Sequence, residues 1–371
     1  MMSARFLTVV LERAFNMRDG FGREIDYMRI SVIDSCNLNC YYCNPCDNNE
    51  HCHALNILSV KEVLCIVRAA TRLGIKHFRL TGGEPLLHPQ LDEMVLQIKK
   101  IPGVSSVSLT TNAVLLAQHA KWLKEAGIDS INVSLDTIDA SEYERITKKP
   151  LLEEVKNGIN AAIECGIRVK INVVLTPQTD VVALTRYVAK KGTDIRFIEM
   201  MPVGEGHTNG VEPYKKVIGT LSKLYGEPCR INTEKTKEIN SGNDKRKIPD
   251  NGPAEYYIFP ELGIRVGLIQ AIHGKFCDTC NRIRVTADGR LMPCLGSSVT
   301  MDLVPDSWDF ADDVEKDFAI VRALRAAIKA KPRCHNFNDN AVTYTKTTET
   351  KTIEIEAAEV NAARNMSRIG G

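Results

Sequence analysis

The sequence predicts an α/β protein, with a mostly parallel sheet flanked by helices in an open barrel of about six β/α units. Two observations carry this. Short β-branched and aromatic runs alternate with helix-length amphipathic stretches from Tyr27 to Met201. The crossovers are long enough for helices, so successive strands run parallel. About six such units are visible, fewer than the eight of a closed barrel. A doubly wound sheet reads almost the same.

The elements follow in order. Tyr27–Ile33 is a strand, and a cysteine-rich loop follows it. Ser59 to Leu73 is a helix: Ser59 caps it, Glu62 sits three residues on, and Val63, Ile66, Val67 and Ala70 mark its apolar face before Gly74 ends it. Strand His77–Leu80 leads into Gly82-Gly83-Glu84-Pro85. Helices near Pro89–Lys100, Ala117–Ala126, Leu152–Cys165 and Val181–Lys190 alternate with strands Ser106–Thr110, Ser130–Leu135, Arg168–Val174 and Asp194–Glu199. Beyond Glu205 the rhythm changes. Pro213–Tyr225 is helical and Ile231–Pro253 is a polar excursion. Short strands at Tyr256–Phe259, Ile264–Ile269 and Arg282–Thr286 precede a helix within Phe310–Ala330. These shifts divide the chain into an N-terminal extension (1–24), a barrel (25–235), a C-terminal domain (236–340) and a tail (341–371).

The 371 residues are 44% hydrophobic and 25% charged, with a formal net charge of +2. That balance gives no case for nucleic acid or an acidic membrane as partner. No apolar run is long enough to span a bilayer, and Met1–Arg13 lacks a secretory pattern. The 12 cysteines are too few for a disulfide scaffold and too clustered for chance. Their use as metal ligands implies a reducing, cytoplasmic setting. Cys65, Cys165 and Cys229 lie in apolar or helical stretches and are expected to be buried.

Two cysteine triplets carry the chemistry. Cys36-x3-Cys40-x2-Cys43 follows a strand, at the edge where β/α proteins gather ligands. Three thiolates suit a four-iron cluster with one iron left open. Zinc is the rival, with Cys46 completing the set or His51, Cys52 and His53 as further donors. Cys277-x2-Cys280-x13-Cys294 alone reads as zinc, with His273 or Cys334 as fourth ligand, or as a second cluster. Basic residues at corresponding strand positions (Arg29, Arg79, Lys170, Arg196, Arg282, Arg284) suggest a converging cavity for a polyphosphate. Arg282 and Arg284, two apart on a strand, share a face. There is no phosphate-binding GxxxxGK[ST] loop.

The first triplet, with Tyr42 before its last cysteine, resembles the signature of the radical S-adenosylmethionine superfamily, and Gly82-Gly83-Glu84-Pro85 resembles its motif for the methionine amino group. More narrowly, YMRISVIDSCNLNCYYC, FRLTGGEPLLHP, FCDTCNRIRVTADGRLMPCL and the terminal MSRIGG resemble the GTP 3',8-cyclase family of molybdenum cofactor biosynthesis, over about 18–335 and the last residues. The resemblance implies an incomplete (β/α)6 barrel and a C-terminal domain with a second cluster. Cys36, Cys40 and Cys43 would ligate the 4Fe–4S cluster that binds S-adenosylmethionine. Tyr42, Gly82, Gly83, Glu84, Ser134, Arg196 and Met201 would line that cofactor's site. Arg29, Arg79, Thr110, Lys170, Arg282 and Arg284 would hold GTP. Cys277, Cys280 and Cys294 would ligate a second 4Fe–4S cluster whose open iron holds the guanine. The Gly370-Gly371 tail would assist turnover. The implied reaction cleaves S-adenosylmethionine to methionine and a 5'-deoxyadenosyl radical, which takes hydrogen from C3' of GTP so that C3' attacks C8. The product is 3',8-cyclo-7,8-dihydro-GTP. The resemblance also implies a low-potential electron donor, of unidentified kind, and is compatible with a homodimer.

The chain departs from the family pattern in places. His77 stands where Lys is common, Ala113 where Gly is familiar in T-T-N-G, and Glu255 where Arg is common. Pro202 replaces a familiar Asp. Cys46 and Cys52 crowd the first triplet, and 338–361 lengthens the approach to the tail.

Overall fold

The computed structural model describes residues 17–43, 56–202, 213–231, 252–297, 299–303, 313–335 and 337. Cys46, His51, Cys52, His53, Gly370 and Gly371 lie outside them.

The expected alternation is present. It runs β1 (Tyr27–Ser31), α1 (Val60–Arg72), β2 (His77–Thr81), α2 (Leu91–Lys99), β3 (Ser106–Thr111), α3 (Leu116–Glu125) and β4 (Ser130–Ser134). Helices α4 (Ala140–Thr147) and α5 (Leu152–Glu164) come next, then β5 (Val169–Leu175), α6 (Val181–Lys190), β6 (Asp194–Glu199) and α7 (Pro213–Tyr225). The remainder holds β7 (Cys229–Arg230), β8 (Glu255–Ile258), β9 (Arg265–Ile269), β10 (Arg282–Val285), β11 (Arg290–Met292), β12 (Met301–Asp302) and α8 (Asp313–Lys329).

Local chemistry explains the boundaries. Ser59 and Glu62 form a reciprocal capping box on α1, which contributes about 1 kcal/mol. The buried face of α1 is Val63, Cys65, Ile66, Val67, Ala69 and Ala70. Each large aliphatic side chain there stabilises the fold by about 1.5–3 kcal/mol. Helix α4, absent from the sequence reading, is capped by Asp139 and stops at Lys148, which takes the left-handed conformation at φ 60°.

The strands form one sheet in the order β12-β11-β10-β1-β2-β3-β4-β5-β6-β9-β8-β7. From β10 through β1–β6 to β9 every pairing is parallel. The six β/α strands are therefore an open barrel extended at both free edges by the C-terminal segment. β9 joins β6, β10 joins β1, and the connection between β9 and β10 passes from one edge to the other. Burying both faces of these strands gives the continuous apolar core around Met28, Ile30, Phe78, Leu80, Val107, Ile131 and Phe197. α8 packs on α1, and Arg72 pairs with Asp317 at 2.8 Å.

One expectation about free cysteines is corrected. Cys65 is buried and Cys165 half-buried, but Cys229 is exposed. Among the described residues it lies on β7, the outermost strand at one edge of the sheet.

Candidate active site

The register of the parallel strands collects the basic residues. Arg284, Arg29 and Arg79 lie abreast on β10, β1 and β2. Thr110, Asn132 and Lys170 lie abreast on β3, β4 and β5, and Asn172, Arg196 and Gly267 on β5, β6 and β9. All of these except Gly267 line one cavity of about 910 Å3. Both cysteine triplets, Tyr42, Gly82, Gly83, Ser134, Met201 and Arg282 line it too. Every site residue expected from the sequence and described here lines that cavity, with the exception of Glu84.

Glu84 is fully buried behind the wall. Its Oε1 accepts from Leu86 N at 3.0 Å and Thr111 Oγ1 at 2.8 Å, and its Oε2 accepts from Asn112 N at 2.7 Å. Burial raises its carboxyl to about 7 against those three hydrogen bonds. The motif leads one to expect it to accept from an amine; here its two oxygens accept three hydrogen bonds from the protein. Its effect on the site runs through Asn112, whose Nδ2 donates to Asn37 Oδ1 at 2.7 Å and reaches Cys36 Sγ at 3.8 Å.

The glycine loop clasps the first cysteine loop. Gly83 N donates to Ile33 O and Glu84 N to Ser35 O, both at 2.8 Å. A Cβ on Gly83 would lie 2.2 Å from Ser35 O, so only glycine permits this approach. From the other side, Asn39 N and Tyr41 N donate to Thr147 O and Ile146 O at the end of α4. Tyr42 donates its hydroxyl to Asp136, which also accepts from Val174 N at 2.8 Å. Burial raises Asp136 to about 6.

These surroundings resist thiolate formation. Burial, then the charges of Cys36 and Asp136, push Cys43 to about 12. Burial likewise raises Cys36 to about 11, and Cys40 is raised well above its ordinary value by burial, Cys43 and Asp136. Three thiols in one wall whose ionisation a compensating cation would favour fit the donor set of an iron–sulfur cluster. Among the described residues, no group of three or more His, Cys, Asp or Glu side chains is gathered for a single ion. A cubane spaces its thiolates more widely than one ion does.

The second triplet lies at the other end of the strands. The first leaves the C-terminal end of β1. Cys277 and Cys280 enter the N-terminal end of β10, which runs parallel to β1 with Tyr27 opposite Arg282. Strand rise over these residues separates the two triplets by on the order of 15 Å along the barrel. Burial pushes the Cys280 thiol up, but Lys331, Arg282 and Arg284 outweigh it and the net shift is downward. Of the two suggested fourth ligands, Cys334 stands near the triplet, its charge adding to burial in raising the Cys277 thiol, whereas His273 is engaged elsewhere. His273 is hydrogen-bonded to Glu199, and Cys334 is exposed.

Eight cations line the cavity (Arg29, Arg79, Arg168, Lys170, Arg196, Arg282, Arg284, Lys331) against three aspartates (Asp34, Asp129, Asp136). Among the described residues, several buried polar atoms on this lining have no hydrogen-bond partner: Arg168 Nη2, Arg196 Nη2, Arg284 Nε, Asn132 Oδ1 and His335 Nδ1. Buried polar atoms are ordinarily satisfied, so this set fits a polar anionic ligand. The sequence reading missed Arg168, Lys331 and Asp136. Arg168 had a signal, since it precedes Lys170 by two residues and shares its face. Lys331 and Asp136 had none.

The departures fall in different places. His77 lines the cavity, bonded through Nδ1 to Ser106 Oγ at 2.8 Å and stacked beside Tyr27. Glu255 is outside it, paired with Arg230 at 2.7 Å. Ala113 is buried outside the lining at φ 65°, a conformation that favours glycine.

Residues 30–183 match the profile of the Radical SAM superfamily, and residues 193–337 that of Molybdenum Cofactor Synthesis C. A GTP 3',8-cyclase of Clostridium perfringens (strain SM101 / Type A) is 35% identical over 324 residues, covering 86% of this chain and 95% of its own. The chain belongs to the GTP 3',8-cyclase family. Another family member, GTP 3',8-cyclase of Pelotomaculum thermopropionicum, is 36% identical over 327 residues, covering 86% of this chain and 95% of its own. Among solved structures, Streptococcus suis SuiB bound to precursor peptide SuiA has a TM-score of 0.55 at 14% identity, covering 87% of this chain and 69% of that one. That likeness concerns the fold alone and agrees with the open barrel seen in this cyclase-family chain.

Proposed function

We propose that this protein converts GTP to 3',8-cyclo-7,8-dihydro-GTP, the opening step of molybdenum cofactor biosynthesis. The observation that carries the reading is the single cavity joining two three-cysteine sets across a row of arginines. At about 910 Å3 it is at the upper end for one small ligand, which suits a cofactor and a nucleotide together.

Cys36, Cys40 and Cys43 would hold one 4Fe–4S cluster, with Tyr42, Gly82, Gly83, Ser134, Arg196 and Met201 around S-adenosylmethionine. Held by these residues, the cluster and cofactor would supply radical chemistry directed at the sugar. The protein's share is placement. Arg29, Arg79 and Arg284 are abreast and offer planar forks to the phosphates. Thr110 and Lys170 sit between them and the Ser134 end. Cys277, Cys280 and Cys294 would hold a second 4Fe–4S cluster at the base. Fixing the nucleotide at both ends holds C3' and C8 close, which removes much of the entropic barrier to ring closure.

In this division 25–235 would generate the radical and share the grip on the nucleotide with 236–340, and Gly370-Gly371 of the tail 341–371 would assist turnover. Deleting the two glycines leaves both clusters in place and slows cyclisation. Turnover also needs a low-potential electron donor in a reducing, cytoplasmic setting.

The test is an anaerobic assay with reductant, S-adenosylmethionine and GTP, reading 5'-deoxyadenosine and nucleotide product together. The cyclised nucleotide from GTP and none from ATP is expected. Cofactor cleavage with no cyclised product from GTP contradicts the assignment.

A further inference from the structure

The second triplet draws its cysteines from separate segments, so something must hold those segments in register. Two buried cations touch all of them. Arg23 is 8% exposed and Lys331 3%. Arg23 Nη1 donates to Cys277 O at 2.6 Å and Arg333 O at 2.9 Å, and its Nη2 to Pro332 O at 2.6 Å. Lys331 Nζ donates to Arg282 O and Pro293 O, both at 2.8 Å. The bonded carbonyls therefore lie on Cys277 itself, two residues after Cys280, and one residue before Cys294.

We propose that Arg23 and Lys331 form a two-cation cradle that sets both the geometry and the charge of the second triplet's cluster. This rests on the reading of Cys277, Cys280 and Cys294 as cluster ligands. Two features distinguish a cradle from ordinary packing. Among the described residues, every Lys331 side-chain bond, and every Arg23 side-chain bond but one, goes to a main-chain carbonyl, so what is fixed is backbone position at or near each cysteine. The exception is Asp19, whose Oδ2 accepts from Arg23 Nε at 2.6 Å. One carboxylate against two cations leaves the cradle positive. A three-thiolate 4Fe–4S cluster carries about −1 when oxidised and about −2 when reduced. The cradle complements both states and favours the reduced one more. Both residues act through the cysteines and are positioning residues. The N-terminal segment around Asp19 and Arg23 thereby becomes part of the nucleotide end of the site.

The experiment uses the full chain, reconstituted anaerobically. Iron and sulfide are counted, and each cluster is titrated by electron paramagnetic resonance. A Cys277→Ala/Cys280→Ala variant supplies the first cluster's signal alone. Wild type should hold about eight irons per chain. Lys331→Met and Arg23→Met should retain the first cluster's signal. In them the second cluster should either shift to a more negative potential or be lost, with iron falling to about four. Lys331→Arg, which keeps the charge, should restore it. Unchanged second-cluster potential and iron content in both methionine variants overturn the cradle. So does parallel loss of both clusters in all three variants, since the cations would then support the whole barrel. Wild type holding only about four irons overturns instead the underlying reading of the second triplet.

Discussion

The two cysteine triplets open on one cavity, but Cys280 of the second sits in electrostatic surroundings opposite to those of the first, whereas burial raises its neighbour Cys277 as it raises the first three. Cys36, Cys40 and Cys43 follow β1, crowded by each other and by Asp136, and burial adds to that repulsion. Cys280 precedes β10 beside Lys331, Arg282 and Arg284, and its thiol is shifted down despite burial. Ligand sites of β/α barrels gather at the C-terminal ends of the strands. Only the first triplet obeys that rule. The second is at the N-terminal end because the C-terminal segment adds β10 parallel to β1. A nucleotide placed between unlike ends, as proposed, would have its direction fixed, with phosphates and base recognised by different groups.

Short of removing a cysteine, the largest expected effect concerns the arginine row. Arg284→Met should raise the GTP KM by about 30- to 100-fold, the loss of a buried charged hydrogen bond. S-adenosylmethionine binding, measured calorimetrically, should hold. Equal weakening of both ligands would erase the distinction between the two ends.

Next is thiol reactivity in cluster-free protein. At pH 8 Cys280 should react with iodoacetamide about ten- to a hundred-fold faster than Cys43, after allowing for the greater nucleophilicity of the more basic thiolate. The sign of the pH dependence differs in reach. Cys43 labelling should climb about tenfold per pH unit until pH approaches about 12, whereas Cys280 should level off below its ordinary 9.0. Peptide mass spectrometry across pH reads both, and matching profiles would show that the surroundings are alike.

Gly83→Ala addresses the first end alone. The added Cβ meets Ser35 O at 2.2 Å, so the cysteine loop must shift. S-adenosylmethionine affinity should fall about tenfold with GTP affinity unchanged. The smallest effect is away from both ends. Ala113→Gly should raise stability by about 0.5–1 kcal/mol in denaturant titration, because φ 65° suits glycine. A loss of stability there would mean that burial of the alanine methyl outweighs its backbone strain.

Much of this was legible in the residues. The β/α rhythm follows from local periodicity, and α6, β6 and α7 fall where that periodicity puts them. The site residues other than Glu84 were legible because motif and strand spacing place them on inward faces. What escaped depends on non-local pairing. Nothing near Arg265 or Arg282 announces that β9 and β10 join opposite edges of one sheet. β11 and β12, of three and two residues, are too short to show alternation. Glu84 is held behind the wall by hydrogen bonds from Leu86, Thr111 and Asn112, the last two nearly thirty residues away, which no local pattern announces. Lys331 carries no motif, and its partners are carbonyls that any sequence would offer.

The division of labour between the triplets is tested most directly by Cys43→Ser and Cys280→Ser, each assayed anaerobically for 5'-deoxyadenosine and cyclised nucleotide. Cys43→Ser should yield neither. Cys280→Ser should still release 5'-deoxyadenosine while the cyclised nucleotide falls at least about a hundredfold. Equal loss of both products in the two folded variants would contradict it.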